Sequence, residues 1–165
     1  MKQIIAYEMQ YTEDGKILPA EHLPMIPFHM KYYPQYESIY NECFYEMRRA
    51  LDIRPYNFYS DPGQLKEKAD DIFLLLEHDR IIGGVGCYGT EIDDLIVNKA
   101  YQNQGYGKRL LGWAIRHIRA KKDAPITLHV ADWNQHALNM YQAAGFVITK
   151  TEHHEITPPS LIPSA

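Results

Sequence analysis

Residues 100–113 read AYQNQGYGKRLLGW, in which two glycines stand two positions apart directly before an amphipathic segment. Beyond the glycines, apolar residues recur at helical spacing and basic residues fall between them, which predicts a helix from residue 105 to about 121. A strand-like run, residues 91–98, precedes the glycines, and the apolar run ITLHVA, residues 126–131, follows the helix. The order strand, loop, helix, strand predicts a parallel crossover.

The glycine loop has the pattern Q-x-x-G-x-G over residues 102–107. A P-loop is excluded because Gly107-Lys108 is followed by Arg109 and no second glycine stands at the required distance. A dinucleotide-binding fingerprint is excluded because Leu110 occupies the position of its third glycine. The free N–H groups and the dipole at the start of a helix attract a pyrophosphate, and the same six residues also fit an ordinary glycine turn.

The rest of the chain predicts further strands and helices within 165 residues, a length typical of one domain. Four prolines predict a long loop over residues 13–34, and the apolar spacing after it predicts a helix over residues 35–51. Asn134 fits the N-cap of a later helix, and Gly145 fits its left-handed C-terminal position. The predicted strands are residues 2–12, 72–77, 81–88, 91–98 and 126–131, with one or two more over 146–156.

A second segment, NQHALNMYQAAGF at residues 134–146, makes the glycine loop part of a larger pattern. The two segments resemble the GNAT acetyltransferase superfamily, whose hallmarks are a Q/R-x-x-G-x-G/A loop and a later N-x-x-A-x-x-x-Y-x-x-x-G-F segment. The resemblance is strong over residues 72–150. It implies an α/β fold, the GNAT acyl-CoA N-acyltransferase fold, with a mixed central sheet of six or seven strands flanked by about four helices. The length of the chain predicts a single domain, over residues 1–157, and the sequence PPSLIPSA predicts a flexible C-terminal tail over residues 158–165.

The resemblance implies that acetyl-CoA, as co-substrate, lies in a V-shaped opening between two parallel strands. Main-chain groups of the strand before the loop bind the pantetheine arm, and residues 103–108 bind the pyrophosphate. Asn134 caps its helix and contacts the pantetheine arm. The expected coenzyme-binding residues are Leu95, Ile96, Val97, Gln102, Asn103, Gln104, Gly105, Tyr106, Gly107, Lys108, Asn134 and Tyr141.

Acetyl transfer from a thioester to an amine needs a proton acceptor for the amine, a donor for the negative oxygen and an acid for the leaving thiolate. Glu91 and Asp93 stand two apart on a predicted strand, so both carboxylates point to one face, with Asp94 on the other. By resemblance, Glu91 matches the general base of the histone-acetylating branch, Asp93 is a second catalytic candidate, and a water chain is the alternative. Tyr141 matches the tyrosine whose hydroxyl approaches the coenzyme sulfur, and a backbone N–H near Val97 would hold the oxyanion.

Histidines and cysteines suggest no further chemistry. Adjacent residues of a strand point to opposite faces, so His153 and His154 do not predict a metal site, and His129 is expected to be an interior residue. Cys87 is disfavoured as a nucleophile, because the family transfers the acetyl group directly. Cys43 and Cys87 suggest no disulfide framework, which is typical of a reducing cytoplasm.

Composition limits the partners. Seventeen basic and twenty-one acidic residues give a net charge of −4, which argues against a nucleic-acid partner. The sequence contains no run of the ~18 apolar residues that a membrane span needs, and no signal peptide is recognisable. We therefore expect a cytoplasmic protein with no membrane partner, and the resemblance makes a homodimer an additional expectation.

The resemblance predicts an acceptor groove along residues 36–59 and 146–155, two stretches rich in aromatic and acidic side chains. Such a lining suits a cationic amine with apolar parts, and the proline-rich loop favours a small molecule. The expected function is acetyl transfer from acetyl-CoA to a primary amine of a small molecule, by direct attack in a ternary complex. A protein lysine or N-terminal acetyltransferase and a non-catalytic acyl-CoA-binding sensor are the alternatives.

Overall fold

A computed structural model describes residues 3–13 and 22–155 as strands and helices around one mixed sheet. Its elements are β1 (Gln3–Tyr11), β2 (Ile26–Pro27), α1 (Tyr33–Ala50), β3 (Ile72–Glu77), β4 (Arg80–Tyr88), β5 (Glu91–Val97), α2 (Tyr106–Arg119), β6 (Thr127–Ala131), α3 (Gln135–Ala144) and β7 (Phe146–Glu155). The strand order is β2-β3-β4-β5-β6-β1-β7. Only the pairing of β5 with β6 is parallel among these strands, which confirms the predicted mixed sheet and crossover.

Three α-helices occur in the described residues, where about four were expected. Between α1 and β3 the chain forms two short 3-10 helices, Pro62–Leu65 and Ala69–Asp71. Pro55, Pro62 and Gly63 disfavour an α-helix there, because proline lacks the N–H of a helix interior and glycine has low helix propensity. None of the described helices combines the length and the apolar character that a bilayer crossing needs.

The proline-rich segment before α1 contains more regular structure than a loop. Helix α1 begins at Tyr33 rather than at residue 35, because the first turn of a helix tolerates Pro34. Ile26 pairs with Leu74, so β2 extends the sheet beyond β3. At the other end of the chain β7 is one continuous strand. The middle of the loop, residues 14–21, and the predicted tail, residues 158–165, lie outside the described residues.

The sheet opens between its two parallel strands. β5 and β6 pair through Glu91↔Thr127 and Ile92↔Leu128. Beyond Ile92, no further pair between these strands forms within the described part of the chain. The strands therefore leave a wedge toward their C-terminal ends, where the resemblance predicts the coenzyme.

A bulge interrupts β5 beside this wedge. The β4–β5 register pairs Gly86 with Asp93 and Gly84 with Ile96, so two residues of β5 oppose one residue of β4. Asp94, within the bulge, has a φ of 53°. The extra residue interrupts the alternation of side chains between the two faces of the sheet. Asp94 accepts a hydrogen bond from Tyr40 of α1 and so lies on the same side of the sheet as Asp93. The expectation that Asp94 faces the opposite side is therefore wrong.

The helices cover the two faces of the sheet differently. Leu111 and Ile115 of α2 and Leu138 of α3 pack on one face, against Leu128 and Val130 of β6. α1 packs against β4 and β5 on the other face. The buried core beneath α1 is rich in tyrosine and includes Tyr32, Tyr33, Tyr36, Tyr40 and Tyr59. Burial of a large apolar side chain contributes about 1.5–3 kcal/mol, so these rings help to hold α1 on the sheet.

Candidate active site

The wedge between β5 and β6 forms a cleft of about 1110 Å³. α1, the start of α2 and the residues of α3 complete its walls, so the cleft joins distant parts of the chain. The predicted site residues that line it are Asp93, Leu95, Ile96, Val97, Gln102, Asn103, Gly105, Tyr106, Gly107, Lys108, Asn134 and Tyr141. Among the described residues, Glu91 and Gln104 are the predicted members that do not line this cleft.

The loop before α2 presents backbone N–H groups to one end of the cleft. Gly105 caps the helix with a φ of 84°, a left-handed conformation that favours glycine, and Asn103 has a φ of 62°. Arg109 donates to the Gly105 carbonyl over 3.2 Å, so the three N–H groups before it lie in the first turn, where the helix supplies no acceptor. With the exposed Lys108 beside them, these donors fit a pyrophosphate.

The amide of Val97 points toward the cleft. Asn98 donates to the Ile82 carbonyl over 2.8 Å, and Ile96 pairs with Gly84 across the β4–β5 ladder. Hydrogen-bonding residues alternate with non-bonding ones along an antiparallel pair. The main-chain groups of Val97, between Ile96 and Asn98, therefore point away from β4 and into the wedge.

The Val97 carbonyl already has two donors. The Cys43 thiol of α1 donates to it over 3.2 Å, and the Gln102 side-chain amide donates over 3.0 Å. These two bonds hold the end of β5 against α1 and against the glycine loop. The Val97 N–H thus remains the main-chain donor that this residue offers a ligand, and Gln102 shapes the site by bonding to the strand.

Asp93 lines the cleft as a solvent-exposed residue, and the protein atoms around its carboxylate nevertheless raise its proton affinity. Desolvation by these atoms, and next the charge of the neighbouring Asp94, raise the pKa of Asp93 to about 6, and Glu91 adds to this shift. The Asp94 N–H, which donates to Asp93 Oδ1 over 2.8 Å, and the Lys68 ammonium oppose it. A carboxylate with a pKa near 6 is largely ionised at pH 7 and is also a better proton acceptor than an ordinary aspartate.

Tyr141 brings a protonated hydroxyl to the same cleft. Its ring packs edge to face against Phe146, with 6.1 Å between the ring centroids. Burial, followed by the charge of Asp93, raises the pKa of Tyr141 to about 12. The hydroxyl is therefore protonated at neutral pH and available as a hydrogen donor.

Glu91 lies on the open face of the sheet beside His129. Its Oε1 is 3.3 Å from His129 Nδ1, and Glu152 Oε1 is 3.2 Å from His129 Nε2. The side chain of His129 is 44% exposed, so the expectation of an interior histidine is wrong. The reason is that α1 packs on β4 and β5, whereas His129 belongs to β6.

The same open face holds a group of possible metal ligands. Ligand atoms of Glu8, His129 and Glu152 lie within 4.8 Å of one another, and His154 Nε2 is 3.4 Å from Glu152 Oε2. Exposed carboxylates and histidines often approach in this way without binding an ion. The expectation that the protein uses no metal stays a prediction.

Several cleft residues were missed by the sequence reasoning as individual site residues. The second half of α1 and the segment after it contribute Tyr40, Phe44, Met47, Arg48 and Phe58, and Lys68 adds an ammonium group. The Arg48 guanidinium lies 4.8 Å from the centre of the Phe58 ring. The spacing of four residues between Tyr40 and Phe44 places both on one helix face, and this pattern could have indicated part of the cleft lining from the sequence. Residues 146–155, predicted as the second side of the acceptor groove, are not among the described residues lining the cleft.

Comparison with known proteins agrees with this architecture. The family model described as "Acetyltransferase (GNAT) family" matches residues 33–146. The chain is 30% identical over 120 residues to the [ribosomal protein bS18]-alanine N-acetyltransferase of Haemophilus influenzae, which covers 68% of this chain and 78% of that protein.

Solved structures show the same fold. A GNAT-family acetyltransferase from Colwellia psychrerythraea has a TM-score of 0.67 at 15% identity over 93% of this chain. A GCN5-related N-acetyltransferase from Sphaerobacter thermophilus has a TM-score of 0.58 at 17% identity over 90% of this chain. The chain spans 56% and 49% of these two structures, about half of each. On the family match over residues 33–146, the chain belongs to the GNAT family of acetyltransferases.

Proposed function

We propose that the protein transfers the acetyl group of acetyl-CoA to the primary amine of a small molecule, by direct attack within a ternary complex. One observation carries this proposal: a single cleft joins the N–H donors before α2, the Val97 amide, the Asp93 carboxylate and the Tyr141 hydroxyl. Family membership supports an acyl-CoA donor. These groups correspond to the needs of acyl transfer from a thioester to nitrogen.

Binding of the donor uses mainly the protein backbone. The first-turn N–H groups around Gly107 would hold the pyrophosphate, and Lys108 adds a positive charge. The Val97 amide and the neighbouring edge of β5 offer hydrogen bonds to the pantetheine arm. When bound, acetyl-CoA supplies the activated acetyl group, whose carbonyl carbon is open to attack.

The reaction needs two proton transfers, for which Asp93 and Tyr141 are the proposed agents. The acceptor reaches the cleft as the neutral amine, its ammonium proton having gone to solvent. Its nitrogen forms a bond to the acetyl carbon and then loses a second proton to the Asp93 carboxylate. The Val97 N–H donates to the acetyl oxygen as negative charge develops there. The Tyr141 hydroxyl gives its proton to the sulfur as the carbon–sulfur bond breaks. Exchange with solvent then removes the proton from Asp93 and restores that of Tyr141.

Asp93 is preferred to Glu91 as the base because of their surroundings. Asp93 lines the cleft, and its charge contributes to the raised pKa of Tyr141. The Glu91 carboxylate is beside His129, which lines the cleft, but Glu91 itself does not line it. Glu91 acting through water is the alternative base.

The wall opposite Asp93 supports a small acceptor. Tyr40, Phe44 and Phe58 bring three aromatic rings to the cleft, and Arg48 packs on one of them. Such rings bind the apolar part of a compact amine and restrict the room for a folded protein chain.

A protein acceptor is the second candidate. The relative from Haemophilus influenzae is named for the alanine of a ribosomal protein, and it matches 68% of this chain. The N-terminus of a protein is also a primary amine, so the same chemistry would apply. A peptide would enter the cleft end-on.

The test is release of thiol from acetyl-CoA with a panel of small primary amines and of short peptides, followed by mass spectrometry of the products. We expect turnover with a small amine, and stronger turnover with peptides would transfer the proposal to protein acceptors. Loss of rate in Glu91→Gln but not in Asp93→Asn would assign the base to Glu91. Binding of acetyl-CoA without turnover on the whole panel would contradict the enzyme and favour the sensor.

A further inference from the structure

Asp94 is a charged side chain buried in the described core, with 5% of its surface exposed. A buried carboxylate is costly unless it is paired and hydrogen-bonded, so its partners indicate why it is there. The Tyr40 hydroxyl of α1 donates to Oδ1 over 2.9 Å, and the Tyr88 hydroxyl of β4 donates to Oδ2 over 2.5 Å. The Lys68 ammonium lies 3.6 Å from Oδ2. Three separate parts of the chain thus converge on one carboxylate beside the cleft.

The backbone of Asp94 connects this network to the proposed base. Its φ of 53° is a left-handed conformation that an aspartate seldom adopts without support. In this conformation the Asp94 N–H donates to Asp93 Oδ1 over 2.8 Å. Asp93 precedes the bulge and has the face that strand alternation gives it, whereas the bulge turns Asp94 to the same α1 side. The orientation of the Asp93 carboxylate therefore depends on the bulge being held.

A glycine makes room for one of the supports. A Cβ at Gly86 would lie 2.5 Å from the Tyr88 ring, so the ring occupies the space that any side chain there would take. The Lys68 ammonium lies 5.5 Å from the centre of the same ring. The Tyr88 ring thus packs over Gly86, and its hydroxyl reaches the Asp94 carboxylate.

We propose that Asp94 is a positioning residue of the acetyl transfer: anchored by Tyr40, Tyr88 and Lys68, it holds the bulge in which its own N–H orients the Asp93 carboxylate toward the acceptor amine. This inference rests on the proposed function, in which Asp93 takes the amine proton. Asp94 itself also lines the cleft, and the role proposed for it acts through Asp93.

The charge of Asp94 provides a signature that a purely structural residue lacks. Its carboxylate raises the pKa of Asp93, and replacing it with a neutral amide lowers that pKa. The charged and titratable groups that face Asp93 are Glu91 and Asp94 of β5, Lys68 of the segment before β3, Tyr36 of α1, Tyr59, Tyr88 of β4 and Tyr141 of α3. Asp94 has the largest effect among the charged neighbours.

The test compares the full-length protein with Asp94→Asn, Tyr88→Phe and Gly86→Ala, and with the control Asp123→Asn at an exposed position. One readout is the pH dependence of kcat/KM with the best amine of the panel. The other is the titration of the Asp93 carboxyl carbon by NMR, which needs no turnover. CoA affinity by calorimetry and the melting temperature report whether each variant folds.

We expect Asp94→Asn to lower kcat at least roughly tenfold, as a general base contributes about 10²–10⁴-fold, with CoA affinity unchanged. The Asp93 titration and the acid limb of the rate profile should move to lower pH. Tyr88→Phe and Gly86→Ala should reduce the rate less, and Asp123→Asn should match the wild type.

An unchanged Asp93 titration in a folded Asp94→Asn protein would overturn the inference, and so would an unchanged rate. If Asp94→Asn does not fold, the wild-type rate in both Tyr88→Phe and Gly86→Ala would overturn it. A wild type that turns over no amine would defeat the proposed function instead, and the NMR titration would still decide whether Asp94 controls Asp93.

Discussion

The backbone N–H of Asp94 donates to the Asp93 carboxylate over 2.8 Å, and both side chains lie on the α1 side of the sheet. Two neighbouring residues of a regular strand would point to opposite faces. The bulge therefore gives this protein a pair of carboxylates, of which one is buried and anchored and the other faces the cleft.

Asp93→Asn should remove most of the activity and also stabilise the protein near neutral pH. The rate should fall at least about 10²-fold, because the amide cannot accept the amine proton. The folded-state pKa of about 6 lies above the ordinary 3.8, so ionisation of Asp93 destabilises the fold as the pH rises from about 4 to 6, by a small amount because solvent screens this exposed residue. Melting temperatures of the variant and the wild type should agree at pH 4, and the variant should be higher at pH 7.

The exposed Asp123 provides the control for this prediction. Asp123→Asn removes the same charge outside the cleft and should alter neither rate nor melting temperature. A melting difference for Asp93→Asn that is independent of pH would contradict the ionisation argument.

Tyr141→Phe should lower kcat roughly 10- to 100-fold, because water must then protonate the leaving thiolate. CoA affinity should change little, since the ring and its contact with Phe146 remain. Steady-state rates and calorimetry separate the two effects. Tyr45→Phe, on α1 with its ring against Tyr56, is the matched control and should behave as the wild type. An unchanged kcat in Tyr141→Phe would remove the hydroxyl from the mechanism.

Gly107→Leu should weaken CoA binding at least about tenfold, whereas Gly107→Ala should have a small effect. A Cβ at this position would make ordinary contacts, 3.5 Å from Met140 Sδ and 4.0 Å from Val97 Cγ2. A longer side chain would extend into the space beside the first-turn N–H groups. Calorimetry with CoA measures the difference in affinity. Arg116→Leu, which places a leucine at an exposed site of the same helix, is the control and should bind CoA as the wild type does. Equal affinities for Gly107→Leu and the wild type would contradict the assignment of the loop.

Tyr36→Phe should leave the stability unchanged or raise it by up to about 1 kcal/mol. The Tyr36 hydroxyl is buried and has no hydrogen-bond partner among the described residues, while its ring packs on Phe28, Tyr40 and Tyr59. Phenylalanine keeps those ring contacts and removes the unsatisfied group.

Tyr40→Phe is the contrasting variant on the same helix. It removes a donor from the buried Asp94 and should cost about 1–3 kcal/mol. Urea unfolding of both variants measures the difference. A larger loss for Tyr36→Phe than for Tyr40→Phe would contradict this account of the core.

The sequence was sufficient for the parts of the fold that depend on local pattern. The apolar stripe of α2, the Asn134 cap and Gly145 gave the crossover and α3 at their observed places. The strands before and after the glycine loop and its helix, β5 and β6, were also predicted, because the pattern of apolar residues and the length of each run are enough to identify a strand. These features arise from neighbours in sequence, and no distant contact overrides them.

The features that sequence reasoning missed depend on distant contacts. Whether Asp94 faces α1 depends on a bulge, and the bulge is held by Tyr40 and Tyr88 from other elements. His129 has the alternation of a strand, but whether its face is covered depends on where α1 packs. The aromatic side of the cleft could not be predicted in full either, because Phe58 reaches the α1 residues Tyr40 and Phe44 only through the path that the chain takes after α1.

The short pairing of β5 with β6 has a mechanical consequence. The strands β2 to β5 and the strands β6, β1 and β7 are joined within the sheet by two residue pairs, Glu91↔Thr127 and Ile92↔Leu128. A ligand that bonds to both sides of the wedge would act as an additional cross-link between these two half-sheets. The cleft proposed to receive the donor therefore opens at a seam that only two residue pairs hold among the described residues, and occupying it should slow amide hydrogen exchange on both sides at once.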